Sequence, residues 1–214
     1  MAKKEKEKES KEILNFFVEV GKLKRKKRRV WTVHEIKEPE TMADHVFRTT
    51  IIAWILGRNK RLNLETVIKL ALIHDLCEVY APDLTPYDPM LLTKDKKEIK
   101  EILKKWPGFS LKKKRQIYNR KYKEELKSLE RLISKLNPNM RKEIKNLWLD
   151  FEQGRTKEGR FVNQVDKVES LLQGLEYWKK EGKIQCSIWI RWAKEIFDDP
   201  ELIKFVKTLE DEFC

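Results

Sequence analysis

At 214 residues the chain is long enough to bury a core without disulfide or metal staples, and one globular domain is the default. Hydrophobic residues make up 40%, with seven Trp and nine Phe, which excludes a disordered chain although charged residues reach 39%. The net charge of +13 invites a polyanionic partner, but 35 acidic residues are interspersed among 48 basic ones, so nucleic-acid binding is the less favoured reading.

Residues 1–11 read as a charged N-terminal tail, with no apolar stretch of the kind an export signal needs. Ser10 caps a predicted helix through about Leu23, with Ile13, Leu14, Phe17 and Val20 on one stripe. A basic, irregular stretch follows from Lys24 to Pro39, and the run Lys22 to Arg29, seven basic residues in eight, reads mainly as a solvated face. His34, inside that loop, is expected to be exposed. Thr41-Met-Ala-Asp44 forms a capping-box-like start, with Asp for the usual Glu, of a helix through about Gly57. The longest apolar run, Ile51 to Leu56, falls far short of the roughly 20 residues that cross a bilayer.

Asn63 caps a predicted helix from Leu64 to Tyr80 whose centre is apolar except for Lys69, His74 and Asp75. Pro82, Pro86 and Pro89 make 81–89 a structured loop. Then come a charged helical stretch from Lys94 to Trp106, a break at Pro107-Gly108 and a basic helix from Ser110 to Leu136. Residues 94–127 read as a charged helical insertion that could stand off the core. Further helices are predicted over about 139–152, 157–180, 186–197 and 200–212. The pattern is all-α, a single domain over 12–214. Cys77, Cys186 and Cys214 are odd in number and widely spaced, so neither a disulfide framework nor a CxxC pattern is readable, which points to a reducing, cytoplasmic setting.

On one continuous helix His74, Asp75 and Glu78 project to the same side, offering an imidazole and two carboxylates. That ligand set suits borderline divalent metals, but neighbouring donors on one helix cannot close a site, so others must come from elsewhere. His45, on the preceding helix, is one candidate. Asp166 is the other, on a helix whose apolar spacing makes an inward carboxylate costly unless it is paired or metal-bound; Glu169 lies on the same side and competes with it.

The order His45, His74-Asp75 and a distant Asp166 resembles the HD-domain metal-dependent phosphohydrolases. Pro39-Glu-Thr-Met-Ala-Asp-His45, Leu72-Ile-His-Asp-Leu-Cys-Glu78, Asp83-Leu-Thr-Pro86 and Val165-Asp-Lys-Val-Glu169 resemble their 5'-deoxynucleotidase branch, over roughly residues 12–93 and 128–180. The resemblance implies an HD-domain helical bundle in which His45, His74, Asp75 and Asp166 hold one divalent metal ion (Mn, Co, Ni, Zn, Fe or Mg) while Glu78 and Asp83 serve in catalysis. It implies that an Arg ahead of Trp31 grips the substrate phosphate, for which Arg28 and Arg29 both qualify, and that Trp31 packs against the sugar and favours the 2'-deoxy form. Lys167 reads either as a further phosphate contact or as a surface lysine. A homodimer is also implied; Trp189, Trp192 and Phe197 near the C-terminus read either as an apolar patch for it or, as aromatics at helical spacing more often are, as core.

The expected activity is removal of the 5'-phosphate from (deoxy)ribonucleoside 5'-monophosphates. A second reading keeps the metal site but takes nucleoside di- or triphosphates or other nucleotide-like phosphoesters. A third, from another class, is a basic helical nucleic-acid-binding protein with a vestigial metal site. Glu78 and Asp83 argue against it, because a structural metal needs no extra carboxylates.

Overall fold

The computed structural model describes residues 2–85, 88–91, 95–104 and 109–214. The described helices are α1 (Ala2–Val20), α2 (Arg29–Val33), α3 (Met42–Gly57), α4 (Leu64–Ile73), α5 (Asp88–Leu91), α6 (Lys96–Leu103), α7 (Leu111–Ile133), α8 (Pro138–Gln153), α9 (Lys157–Glu181), α10 (Cys186–Ile196) and α11 (Pro200–Phe213). Two 3-10 turns, Gly21–Lys24 and Leu76–Val79, join them, and no strand occurs among the described residues. Pro86, the expected break at Pro107-Gly108, and Lys94, Lys105 and Trp106 of the expected charged helix lie outside the described residues.

The 25-residue α9 is the spine of the molecule. Phe161, Val162, Val165, Val168, Leu171 and Leu175 are all buried along it, and α3, α4, α8, α10 and α11 pack around it. Apolar residues at helical spacing on a helix surrounded by others have no solvent-facing side to reserve, so its polar residues must also be accommodated inside. The core forms two clusters. One holds Trp31, Ala53, Leu70 and Ala71 with the α9 residues. The other holds Met42, Leu76, Cys77, Leu129, Leu132 and Trp148, with Ile13, Phe16 and Val20 of α1 packed against it. His45 falls between Met42 and Ala53 on α3, and His74 between Ala71 and Leu76, so both histidines sit at the seam of the two clusters.

Local signals set most helix starts. Thr41 Oγ1 accepts from the Asp44 N–H while Asp44 Oδ2 accepts from the Thr41 N–H, a complete capping box. Asn63 Oδ1 accepts from the Thr66 N–H. Between α8 and α9, Gly154 takes the left-handed conformation (φ +56) and Asp150 receives both the N–H and the hydroxyl of Thr156.

Four expectations are corrected. The first helix begins at Ala2 rather than at Ser10, because alternating Lys and Glu are strong helix formers even where nothing packs on them. The helix from Leu64 stops at Ile73: Asp75 adopts φ −103, ψ 13, and the Glu78 N–H bonds the Asp75 carbonyl in a tighter turn. His34 is buried against Trp189 instead of exposed. Cys186 and Cys214, Cα atoms 6.1 Å apart, are joined as a disulfide that ties the start of α10 to the end of the chain.

Candidate active site

Lys22, Lys24, Arg25, Lys27 and Arg29 of the basic run face solvent as expected, but Lys26 and Arg28 turn inward. Lys27 and Thr41 form an isolated antiparallel bridge, with the Met42 N–H on the Lys26 carbonyl (2.8 Å) and the Arg28 N–H on the Glu40 carbonyl (3.0 Å). This clamps residues 26–28 beside the start of α3, next to His45. Ion pairs with acidic groups far along the chain then offset the cost of partial burial.

Behind that clamp, α3, the α4 terminus and α9 converge. His45 Nε2 lies 3.2 Å from His74 Nε2, 3.0 Å from Asp166 Oδ1 and 3.7 Å from Asp75 Oδ2. His74 Nε2 is 3.4 Å from Asp75 Oδ2 and 3.9 Å from Asp166 Oδ1. His45, His74 and Asp166 thus offer ligand atoms that all lie within 4.8 Å of one another, and Asp75 stands beside both histidines; the histidines are buried and the aspartates about one-quarter exposed, at 21% and 24%.

The ring tautomers follow from what lies behind each imidazole. His74 Nδ1 donates to the Ala71 carbonyl at 2.7 Å, which can only accept, so its Nε2 carries the lone pair. His45 Nδ1 donates to Glu169, a fully buried carboxylate, so its Nε2 is the nitrogen turned towards His74 Nε2 and Asp166. The surrounding charge calls for a cation at that point: burial and Arg28 oppose protonation of His45, but Glu169 and Asp166 outweigh them and push its pKa up to about 10. Two imidazoles and two carboxylates, one imidazole backed by a carboxylate, fit a borderline divalent metal.

Arg48 and Lys26 were not singled out as partners of this site from the sequence, and Glu169 was weighed there only as a rival to Asp166. Arg48 binds Glu169 at 2.9 Å, Glu176 at 2.7 Å and Gln173 at 2.6 Å, bracing the carboxylate that holds His45. The i, i+3 spacing of His45 and Arg48 on α3 was the available signal. Glu40 joins His45 and Glu169 in a second buried group of potential ligands, but its carboxylate accepts from Trp31 Nε1 at 2.7 Å and reads as support.

Glu78 is 2% exposed, and burial, then repulsion from Asp83 and Asp75, raise its pKa to about 8 despite the opposing Lys26. In the 3-10 turn residues i and i+3 eclipse, so Asp75 and Glu78 remain on one side although the helix that was to carry them has ended. Asp83 Oδ2 accepts the Arg29 N–H at 2.7 Å.

The two candidate arginines separate clearly. Arg29 is half-exposed and paired with Asp88. Arg28 has only 13% of its side chain exposed; Nη2 bonds Ser170 at 3.2 Å, while Nε and Nη1 are buried without a hydrogen-bond partner, Glu40 lying 4.0 Å from Nε. Burial disfavours its charge, but Asp83, Asp75, Asp166 and Glu169 more than compensate and keep it firmly protonated. Trp31 is placed differently from the expectation: it has no exposed surface, stacking on Trp189 and meeting Tyr177 edge-on, each at 5.3 Å, and so has no face for a sugar. Lys167 Nζ bonds the Asn163 carbonyl at 2.8 Å, and burial lowers its pKa. A cleft of about 730 Å³ opens beyond Asp83, its walls including Lys26, Leu84, Lys113, Ile117 and Arg120.

An all-α scaffold that gathers imidazoles and carboxylates at a buried point, with an arginine and an elevated glutamate beside it, has the parts of a divalent-metal hydrolase. The HD domain family model matches residues 20–199. The chain belongs to the HD-domain family. Its curated relatives include proteins named 5'-deoxynucleotidase HDDC2 from Xenopus laevis, 30% identical over 94% of this chain and 88% of that protein, and from Dictyostelium discoideum, 30% identical over 93% and 97%. A third, 5'-deoxynucleotidase YGK1 of Saccharomyces cerevisiae, is 29% identical over 89% and 78%. Among solved structures the fold is shared with a conserved hypothetical protein from Pyrococcus furiosus (TM-score 0.66, 22% identity, 92% of this chain and 99% of that one). It is shared too with a predicted metal-dependent phosphohydrolase from Magnetospirillum magnetotacticum (TM-score 0.64, 22% identity, 96% and 95%). No helix among the described residues is long and apolar enough to cross a membrane.

Proposed function

We propose that this protein is a metal-dependent phosphohydrolase that removes the 5'-phosphate from nucleoside 5'-monophosphates, the 2'-deoxy forms preferred. The observation that carries this reading is the meeting of four metal-type donors, His45, His74, Asp75 and Asp166, beside an arginine whose Nε and Nη1 have no partner. The relatives named 5'-deoxynucleotidases support the substrate class.

A divalent ion held by those four residues supplies Lewis acidity towards the phosphoryl group. Arg28 offers its free donors to the non-bridging oxygens, a geometry suited to its planar fork, and Lys167 adds positive charge beside Asp166. Glu78, with its pKa raised to about 8, is protonated at neutral pH and hands that proton to the leaving O5'. Asp83, one oxygen fixed by the Arg29 N–H, orients the attacking water with the other. The cleft beyond Asp83 receives the nucleoside, since Trp31 offers no surface for it.

The protein is also proposed to act as a cytoplasmic homodimer. Trp189 and Phe197, expected at the interface, are only 4% and 7% exposed and belong to the core. An exposed apolar stripe lies on α3, where Phe47, Ile51, Trp54 and Ile55 recur at i, i+4, i+7 and i+8, and we take it as the dimer face.

The test is phosphate release from a panel of deoxy- and ribonucleoside mono-, di- and triphosphates by metal-stripped protein, alone and with Mn, Co, Ni, Zn or Mg. Activity on deoxymonophosphates restored by metal and lost in His74→Ala supports the reading. Inactivity on monophosphates with turnover of triphosphates would replace it.

A further inference from the structure

We infer that Lys26 is a positioning residue for Glu78, locking both the carboxylate and the main chain that carries it; this rests on the acid role proposed above for Glu78. Lys26 Nζ is within hydrogen-bond reach of three acceptors: Glu78 Oε2 at 2.7 Å, the Glu78 carbonyl at 2.6 Å and the Ala81 carbonyl at 2.5 Å. An ammonium has three N–H donors, so all are committed and none remains for a substrate phosphate. That distinguishes Lys26 from Arg28, two positions further along the chain, whose Nε and Nη1 have no hydrogen-bond partner.

The two backbone acceptors lie on the segment that begins in the 3-10 turn Leu76–Val79 and runs into the loop bearing Asp83. One ammonium therefore fixes the Glu78 rotamer and the path of the chain between the two proposed catalytic carboxylates. The anchor is itself held, because the Met42 N–H bonds the Lys26 carbonyl at 2.8 Å and the Lys26 N–H bonds the Lys22 carbonyl at 3.2 Å. A side chain whose backbone is clamped and whose head group is saturated is the kind of support that keeps a catalytic group within a fraction of an ångström of its working position.

The charges around Glu78 make such a support necessary. Asp75 and Asp83 repel its carboxylate, and Lys26 attracts it; Lys121 from α7, salt-bridged to Glu125 at 3.2 Å, completes the charged groups turned towards it. With Lys26 only 27% exposed and Glu78 3% exposed at the side chain, the pair is shielded from water, so no solvent ion substitutes readily.

The experiment compares Lys26→Met and Lys26→Arg with the wild type in metal-loaded protein, using a deoxynucleoside 5'-monophosphate as substrate and reading kcat and KM separately. Lys26→Met should lower kcat about 10²-fold with KM changed little, as expected for a misplaced catalytic group. Lys26→Arg should recover part of the lost kcat at unchanged KM, since it restores the charge but a planar fork cannot serve three acceptors from one atom. Wild-type kcat in Lys26→Met overturns the inference, and so does a raised KM at unchanged kcat, which would make Lys26 a substrate contact. If Lys26→Met does not fold, Lys26→Arg decides: wild-type kcat overturns, reduced kcat at unchanged KM supports. Inactivity of the wild type on monophosphates would instead strike the substrate reading, before any variant is made.

Discussion

Glu169 accepts from His45 Nδ1 inside the core and so dictates which nitrogen of that ring faces Asp166. Glu169→Gln keeps the shape but removes the charge that raises the basicity of the imidazole. Metal affinity, measured by calorimetric titration of stripped protein, should fall 10- to 100-fold, the usual cost of losing such a partner. An unchanged affinity would show that the Glu169 charge has no part in metal binding.

Arg28 and Arg29 are neighbours in sequence with opposite surroundings. Arg28→Ala should lower kcat/KM for the monophosphate by about 10²-fold or more, the loss of charge-assisted hydrogen bonds worth about 1.5–3 kcal/mol each. Arg29→Ala, which keeps the backbone N–H bonded to Asp83, should stay within about tenfold of wild type by the modest worth of an exposed ion pair. Steady-state kinetics on both variants would reject the assignment if their order were reversed.

His34 is buried beside Trp189, and desolvation lowers its pKa from 6.5 to about 4. The folded state therefore binds this proton more weakly than the unfolded chain. The contribution of neutral His34 to stability is complete above pH 6.5 and is lost as pH falls towards 4, by roughly 3 kcal/mol in all. Denaturant unfolding at pH 7.5 and pH 4.5 should show a smaller difference in His34→Gln than in wild type; equal differences would refute it.

A Cβ at Gly159 would stand 2.5 Å from Asp150 Oδ1 and 2.6 Å from the Asp150 carbonyl. The backbone oxygen cannot swing away, and Asp150 is also the group that receives Thr156 at the start of α9. Gly159→Ala should cost about 1–3 kcal/mol by overpacking, against the small gain a helical alanine brings elsewhere. A raised melting temperature would contradict this.

If the α3 stripe is the dimer face, Trp54→Glu should yield monomers by light scattering while leaving the fold intact, because Trp54 is 48% exposed in one chain. A wild type that is already monomeric would dismiss the interface outright.

Much of the fold was legible because its signals are local. Thr41 with Asp44 and Asn63 with Thr66 are caps written within three residues, and the α8 to α11 boundaries follow from Asn137-Pro138, Gly154, Gly182 and Asp199-Pro200. His45, His74, Asp75 and Asp166 could be named as candidate donors because polar groups on otherwise apolar helices must have a reason to be inside, and the family resemblance chose Asp166 over Glu169. What escaped depends on distant partners. The stop at Ile73 has neither Gly nor Pro to mark it. The inward turn of Lys26 and Arg28 needs Glu78, Ala81 and Ser170, between 52 and 142 residues away. Trp31 and His34 share that stretch, so a run read by its charge alone hid two core residues and two residues of the site.

The pairing of His45 with Glu169 spans 124 positions of the chain. During synthesis, a nascent chain that has passed His74 but not reached Asp166 holds both histidines of the site but lacks the helix that aligns one of them and supplies Asp166. Closing so long a loop carries an entropic cost that only the finished core repays, which places assembly of the centre late in folding. A half-made protein therefore offers only isolated donors, and tight, geometrically selective metal capture arrives together with the completed fold.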